Sequence, residues 1–284
     1  MEYIRVFLNT FYDYTVEIVP YFVLAALITS LIQTYVSLSW LRKALKNEKT
    51  APIFTGFLGG LLPVCSCSMI PVAHLINNFS KTYAPVLAFL VVAPVVSPVT
   101  VTLTFAFFGF EITLFRVFGV FLFAMLLAYV ASTFYKKERP MPLLGEFNSA
   151  GTKGKIFLRS FKFTLSSTGR YLLLGMFIAA LIKAILPQGV VNYVAGTSLS
   201  YPLIALVSVP IYVCSGEDVP IAKALLQVGF THGNALTFML GGSGICVPTI
   251  LATMSFLPKR IVFLYAVSWF FMSWLAGLLF DLIF

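Results

Sequence analysis

The chain has 284 residues, 60% of them hydrophobic and only 10% charged, with a mean hydropathy of +0.96. A soluble domain carries about 25% charged residues, so most of this surface must face lipid, which argues against a soluble enzyme, a nucleic-acid binder and a disordered chain. The net charge of +9 therefore bears first on topology, because basic loops stay cytoplasmic.

At about 20 residues per span, this length supplies roughly seven to nine crossings and leaves no room for a soluble domain. The N-terminus carries Glu2, Arg5, Asp13 and Glu17 in place of a basic n-region and cleavage site, so it does not read as a cleaved signal peptide. Apolar segments run from about Val16 to Trp40, Ala51 to Ser80, Tyr83 to Phe110 and Ile112 to Phe134. They resume from Tyr171 to Pro187, Tyr201 to Phe230, Thr231 to Leu257 and Ile261 to Phe284. Each is long enough to be helical in lipid, where backbone groups must be satisfied within the segment. Between the two groups lies Tyr135–Arg170, with eight basic and two acidic residues, which reads as a cytoplasmic anchor. Its Gly151-Thr152-Lys153-Gly154-Lys155 lacks the spacing and hydroxyl of a nucleotide-binding loop, so the chain is not its own ATPase by that route. The expected organisation is a membrane repeat over 1–134, a basic cytoplasmic loop over 135–170 and a second repeat over 171–284.

The two groups resemble each other. Val64-Cys65-Ser66 recurs as Val213-Cys214-Ser215, and at the same offset of 149 Pro71 matches Pro220, Ala73 matches Ala222 and Phe89 matches Phe238. If all eight segments cross, the repeats are parallel and the basic residues split almost evenly. If Ala51–Ser80 and Tyr201–Phe230 are re-entrant hairpins, fifteen of nineteen basic residues fall on one face. Hairpin arms of about 12 residues rise ~18 Å, enough to reach the midplane. Three crossings plus a hairpin is an odd number, so the repeats are then inverted. The expected fold is an all-α polytopic membrane protein of two inverted repeats, each with three transmembrane helices and one re-entrant hairpin. Eight full spans in parallel repeats are the alternative.

Breakers stand at the centres of four segments: Gly59-Gly60 with Pro63, Pro94 with Pro98, Pro210 with Gly216, and Gly241-Gly242-Ser243-Gly244 with Pro248. Such residues unwind a helix. Broken helices at matching places in two repeats are the best sequence pointer to a transporter's binding site.

The run Leu62-Pro63-Val64-Cys65-Ser66-Cys67-Ser68, followed by Pro71-Val72-Ala73, Ala88-Phe89-Leu90, Pro94 and Pro98, resembles the YraQ/ArsP-type predicted permeases over nearly the whole chain. The resemblance implies a permease, and for some members it implies efflux of trivalent organoarsenicals. Family members often have Gly after Cys-Ser-Cys; Ser68 stands there in this chain.

The candidate substrate-binding residues are Cys65, Ser66, Cys67, Ser68, Ser97, Cys214, Ser215, Ser243 and Cys246. All four cysteines lie in apolar segments, away from the polar loops of a disulfide framework. Thiolates suit trivalent arsenic or a soft metal ion, although a free Cys is often simply packed. The serines flank half-helix starts, whose free donors favour anions. Glu217 and Asp218 form an acid pair inside a hairpin, a costly placement in lipid that points to a proton or ion path; Lys223 is a nearby candidate counter-ion. His74 and Lys223, again 149 apart, are the remaining candidates for proton coupling.

The expected function is a secondary transporter exporting a small solute through a midplane site. An anion or sulfur-compound permease, a channel, and an intramembrane thiol enzyme are the competing readings. No catalytic residue, cofactor or resident metal is expected. The expected partners are the lipid bilayer and the solute, with no nucleic acid, and self-association is open. A prokaryotic inner membrane is the expected location.

Overall fold

The computed structural model describes residues 47–62, 69–135, 200–209, 218–227 and 229–283, with a few isolated positions besides. The expected spans over Val16–Trp40 and Tyr171–Pro187, the basic loop and both hairpin tips lie largely outside the described residues.

Among the described residues the fold is all helical. The first half gives α1 (Ala51–Leu61), α2 (Met69–Phe79), α3 (Ala84–Val92), α4 (Pro98–Phe108) and α5 (Phe110–Phe134). The second gives α6 (Ser200–Ser208), α7 (Asp218–Gln227), α8 (His232–Gly244), α9 (Val247–Thr253) and α10 (Lys259–Ile283). Corresponding helices begin 149 residues apart, except that α3 and α8 are offset by 148. Proline opens α1, α3, α4 and α9, where its missing N–H costs nothing and its fixed φ suits the first turn.

Two helices, α5 and α10, are long and apolar enough to cross a membrane; their 25 residues rise about 37 Å. Helices α8 and α9 together make a third candidate span, bent by 41° at its break. The outer row of α5 is apolar and exposed: Phe110, Leu114, Phe118, Leu122, Leu126 and Tyr129. Steps of four and three residues keep that row on one helix face, as a face turned to lipid requires. With the scarcity of charge, these helices mark an integral membrane protein.

The centre of each half is a helix buried all round. Every residue of α3 is buried, as is every residue of α8 from Gly233 to Gly244. Around α3 pack α1, α2 and α5; around α8 pack α6, α7 and α10, in the same order. The halves join through α5 against α10 and α8, and through two crossed contacts, α7 on α4 and α2 on α9.

Close approach of α8 to α10 depends on glycine. A Cβ on Gly233 would run into the Gly277 carbonyl and the Asp281 carboxylate, and one on Gly244 into the indole of Trp269. Trp269 is held by its Nε1–H, which donates to the Leu240 carbonyl at 3.0 Å, so it has nowhere to retreat. Gly244→Ala should therefore cost about 1–3 kcal/mol by overpacking. Gly119→Ala, whose Cβ meets nothing within 4 Å, should stabilise α5 by about 0.5–1 kcal/mol. Thermal unfolding of the two variants in detergent micelles checks the contrast.

Candidate functional site: two helix breaks and a buried ion pair

The break between α3 and α4 runs through Ala93–Ser97. Ser97 is the N-cap of α4, with extended backbone (φ −66°, ψ 153°) and an Oγ that accepts from the Thr100 N–H at 3.3 Å. Thr100 Oγ1 lies near the carbonyls of Val95 and Ser97, at 3.0 and 2.9 Å; the Ser97 carbonyl already accepts the Val101 N–H at 3.0 Å, so the added donor matters most at Val95, inside the unwound turn.

The break between α8 and α9 is built the same way. Cys246 is the N-cap of α9, and its N–H donates to Thr249 Oγ1 at 3.0 Å. Thr249 Oγ1 donates back to the Cys246 carbonyl at 2.8 Å and lies 3.3 Å from Sγ. Ser97 and Cys246, like Thr100 and Thr249, are 149 residues apart. One cap slot holds an oxygen and the other a sulfur.

Each break is also braced from the long helix that follows it. Arg116 of α5 donates from Nε to the Val95 carbonyl at 3.1 Å. Tyr265 of α10 donates from its hydroxyl to the Gly244 carbonyl at 3.1 Å. Brace and carbonyl again correspond at an offset of 149 in both cases.

The braces differ in charge. Arg116 spends three of its four remaining donors on Thr104 Oγ1 at 3.0 Å, Met239 Sδ at 3.5 Å and Asp218 Oδ2 at 2.7 Å. Both side chains of the Arg116–Asp218 pair are 0% exposed. Asp218 is the first residue of α7, where the helix dipole favours an anion. Through Arg116 the start of α7 is thus tied to the break between α3 and α4.

The candidates from the sequence separate on this frame. Cys65, Ser66, Cys67, Ser68, Cys214, Ser215 and Glu217 lie outside the described residues. Ser97 and Cys246 sit at the two breaks. Ser243 is buried beside the second break, and its Oγ donates to the Met239 carbonyl one turn back at 2.5 Å. Asp218 faces Arg116, so the counter-ion sought in Lys223 comes from another helix. Lys223 instead donates to the Phe107 carbonyl at 3.2 Å and stands 5.5 Å over the Phe108 ring, gripping the end of α4. His74 meets the Phe256 ring edge-on at 5.3 Å, while Asn77 donates to the Phe256 carbonyl at 3.2 Å. Phe107 and Phe256 are themselves 149 apart, so His74 and Lys223 sit at matching crossed contacts between the halves. Arg116 and Tyr265 were not among the sequence candidates. For Arg116 the available signal was a lone charge inside an apolar helix. Among the described residues, no three His, Cys, Asp or Glu side chains gather as metal ligands would.

Comparison with known proteins agrees with this membrane architecture. The model of a family described as predicted permease, ArsP_1, matches residues 3–282. A Streptococcus mutans protein named as a candidate subunit of a two-component membrane permease complex is 27% identical, over 86% of this chain and 84% of that one. The Bacillus subtilis UPF0718 protein YcgR is 24% identical over 90% of each chain. A UPF0718 protein of Methanocaldococcus jannaschii is 25% identical over 93% of this chain and 92% of that one. No solved structure matches the chain significantly.

Removing one partner of a buried ion pair strands the other charge, at about 3–5 kcal/mol. Arg116→Met and Asp218→Ala should each destabilise by that order, whereas Tyr265→Phe, which removes one neutral donor, should cost about 1–2 kcal/mol. Thermal unfolding of the purified variants ranks the three.

Proposed function

The chain belongs to the predicted permease family ArsP_1, and from that premise we propose that it is a secondary transporter whose solute site lies between two inverted halves, at the breaks of their helices. The observation that carries this reading is the matched construction of the two breaks. Each has a hydroxyl or thiol N-cap, a threonine turned back on the cap residue's carbonyl, and a brace from the following long helix. Broken backbone at membrane depth is tolerated where protein or an aqueous cavity covers it, and matched breaks in repeated halves are where transporters hold their solutes. The common spacing of helices and the common packing order of the halves support an internal repeat. The charge count of the loops supports the inverted arrangement, with the 135–170 loop cytoplasmic and the membrane a prokaryotic inner membrane.

In this reading the cap residues Ser97 and Cys246, together with Ser243 and the hairpin residues Cys65, Ser66, Cys67, Ser68, Cys214 and Ser215, contact the solute. Asp218 with Glu217 carries the coupling proton, and His74 and Lys223 stand at the crossed contacts that must rearrange. A soft, trivalent organoarsenical suits the thiols, and export is the proposed direction. An anionic solute is the second reading, favoured by the N-terminus of α4 that opens at the first break, where free backbone donors suit negative charge. The name of the Streptococcus mutans relative extends the proposal to a partner subunit.

Reconstitution into proteoliposomes tests the transport reading: uptake or release of a trivalent methylarsenical should saturate and should depend on an imposed pH gradient. Absence of flux for arsenicals and for small anions, under every gradient, would sink it. Cys246→Ser separates the cap from the thiol, because serine caps helices as well. Thermal stability should stay within about 0.5 kcal/mol of the parent, while arsenical flux should fall about tenfold or more.

A further inference from the structure

We propose that the start of α10 binds an anionic phospholipid, with Lys259 and Arg260 on the headgroup phosphate and the exposed row that follows them along the acyl chains. The proposal stands apart from the transport reading and from the identity of the solute.

Helix α10 opens on Lys259 and Arg260, two cations in a first turn, where the positive end of the helix dipole disfavours them. Its last turn holds the opposite case, Asp281 at the negative end. Protein groups answer that carboxylate: the Tyr201 hydroxyl donates to it at 2.6 Å and the Gly233 N–H at 2.7 Å. The two cations have no such answer. Both are exposed, and among the described residues the one ion pair is Arg116–Asp218. Positive side chains at a positive helix end, without a carboxylate beside them, call for an anion from outside the chain.

The surroundings make that anion a lipid. Arg260 heads an exposed apolar row: Phe263 stands three residues on, and Phe271, Leu275 and Leu279 follow at multiples of four, so all lie on one helix face. A phosphate above such a row matches a diacyl lipid better than a free phosphate or an acidic protein. The depth agrees. Ring contacts of Phe115 with Phe280 at 5.4 Å and of Phe123 with Trp269 at 5.8 Å set α5 and α10 antiparallel. The exposed Tyr129, near the end of α5, therefore lies toward the same membrane face as the start of α10, and tyrosines collect at headgroup level. Asn77, bonded to the Phe256 carbonyl at 3.2 Å, brings the exposed Lys81 to this face as well. The 135–170 segment, with eight basic and two acidic residues, leaves α5 here. At the far ends of α5 and α10 stand the acids Glu111 and Asp281. A basic face of this kind meets the anionic leaflet. At the start of α1, Lys49 similarly precedes the exposed Ile53, Phe57 and Leu61, but the adjacent Glu48 offsets its charge. The uncompensated pair on α10 is thus the site.

Native mass spectrometry of the delipidated full chain, titrated with dioleoyl phosphatidylglycerol or phosphatidylcholine, tests this. The wild type should hold phosphatidylglycerol about tenfold more tightly. Lys259→Gln with Arg260→Gln should weaken phosphatidylglycerol about tenfold and leave phosphatidylcholine unchanged. Lys153→Gln with Lys155→Gln removes the same charge from the central segment and should cost no more than about twofold. Phe263→Ala should weaken both lipids alike, by about threefold or more. Glycerol phosphate, which lacks the chains, should compete about a hundredfold less well than the lipid. If the glutamine pair does not fold, Arg260→Gln alone, expected about threefold weaker, decides with the headgroup comparison. Four results would overturn the proposal: no headgroup preference in the wild type, equal losses in the two double variants, glycerol phosphate competing as well as the lipid, or polyglutamate doing so.

Discussion

An opened helix inside a membrane exposes carbonyls that neither water nor lipid can satisfy, and this constraint organises the described structure. At both breaks the answer has two parts. A threonine just after the break turns back on the cap residue's carbonyl, and a donor from the following long helix reaches a carbonyl at the break, Val95 in one half and Gly244 in the other. The long helices α5 and α10 therefore do more than cross the bilayer. They are the supports on which the breaks rest, and their register against α3 and α8 fixes where Arg116 and Tyr265 arrive.

The centre of each half follows from the same demand. A helix that carries a break must be shielded, and α3 and α8 are shielded on all sides. Shielding at close range calls for small residues, which explains why Gly233, Gly244 and Gly277 sit where α8 meets α10. The lipid-facing burden then falls on the outer rows of α5 and α10, where large apolar side chains are exposed in steps of about one turn.

Much of this was legible in the sequence. Pro94, Pro98 and Pro248 announced breaks, and the offset of 149 read from Val-Cys-Ser and its neighbours is the offset at which four of the five helix pairs begin. Ser97 was singled out as flanking a break and Cys246 as a candidate thiol ligand, and they are the two caps. The membrane environment and the permease family were likewise readable from composition and from the Cys-Ser-Cys segment. The ion pair was misassigned for a geometric reason. Lys223 follows Asp218 by five residues, which on a helix turns it about 140° away, whereas a partner on another helix carries no sequence signature. Arg116 was visible only as a charge left over from the loop count, because nothing in a linear pattern says which way an isolated side chain in a span will reach.

The distance between Arg116 and Asp218 along the chain has a consequence for biogenesis. Helix α5 is made and inserted 102 residues before its counter-ion exists, which at about 5–20 residues per second is roughly 5–20 s. Throughout that interval its arginine is an unpaired charge in a nascent span, worth about 2.5–3.5 kcal/mol against insertion. The first half thus enters the membrane unfinished, and arrival of α7 completes it. A chain interrupted between the two halves would leave a helix that the insertion machinery accepts poorly, so the order of synthesis itself makes the second half a folding partner for the first.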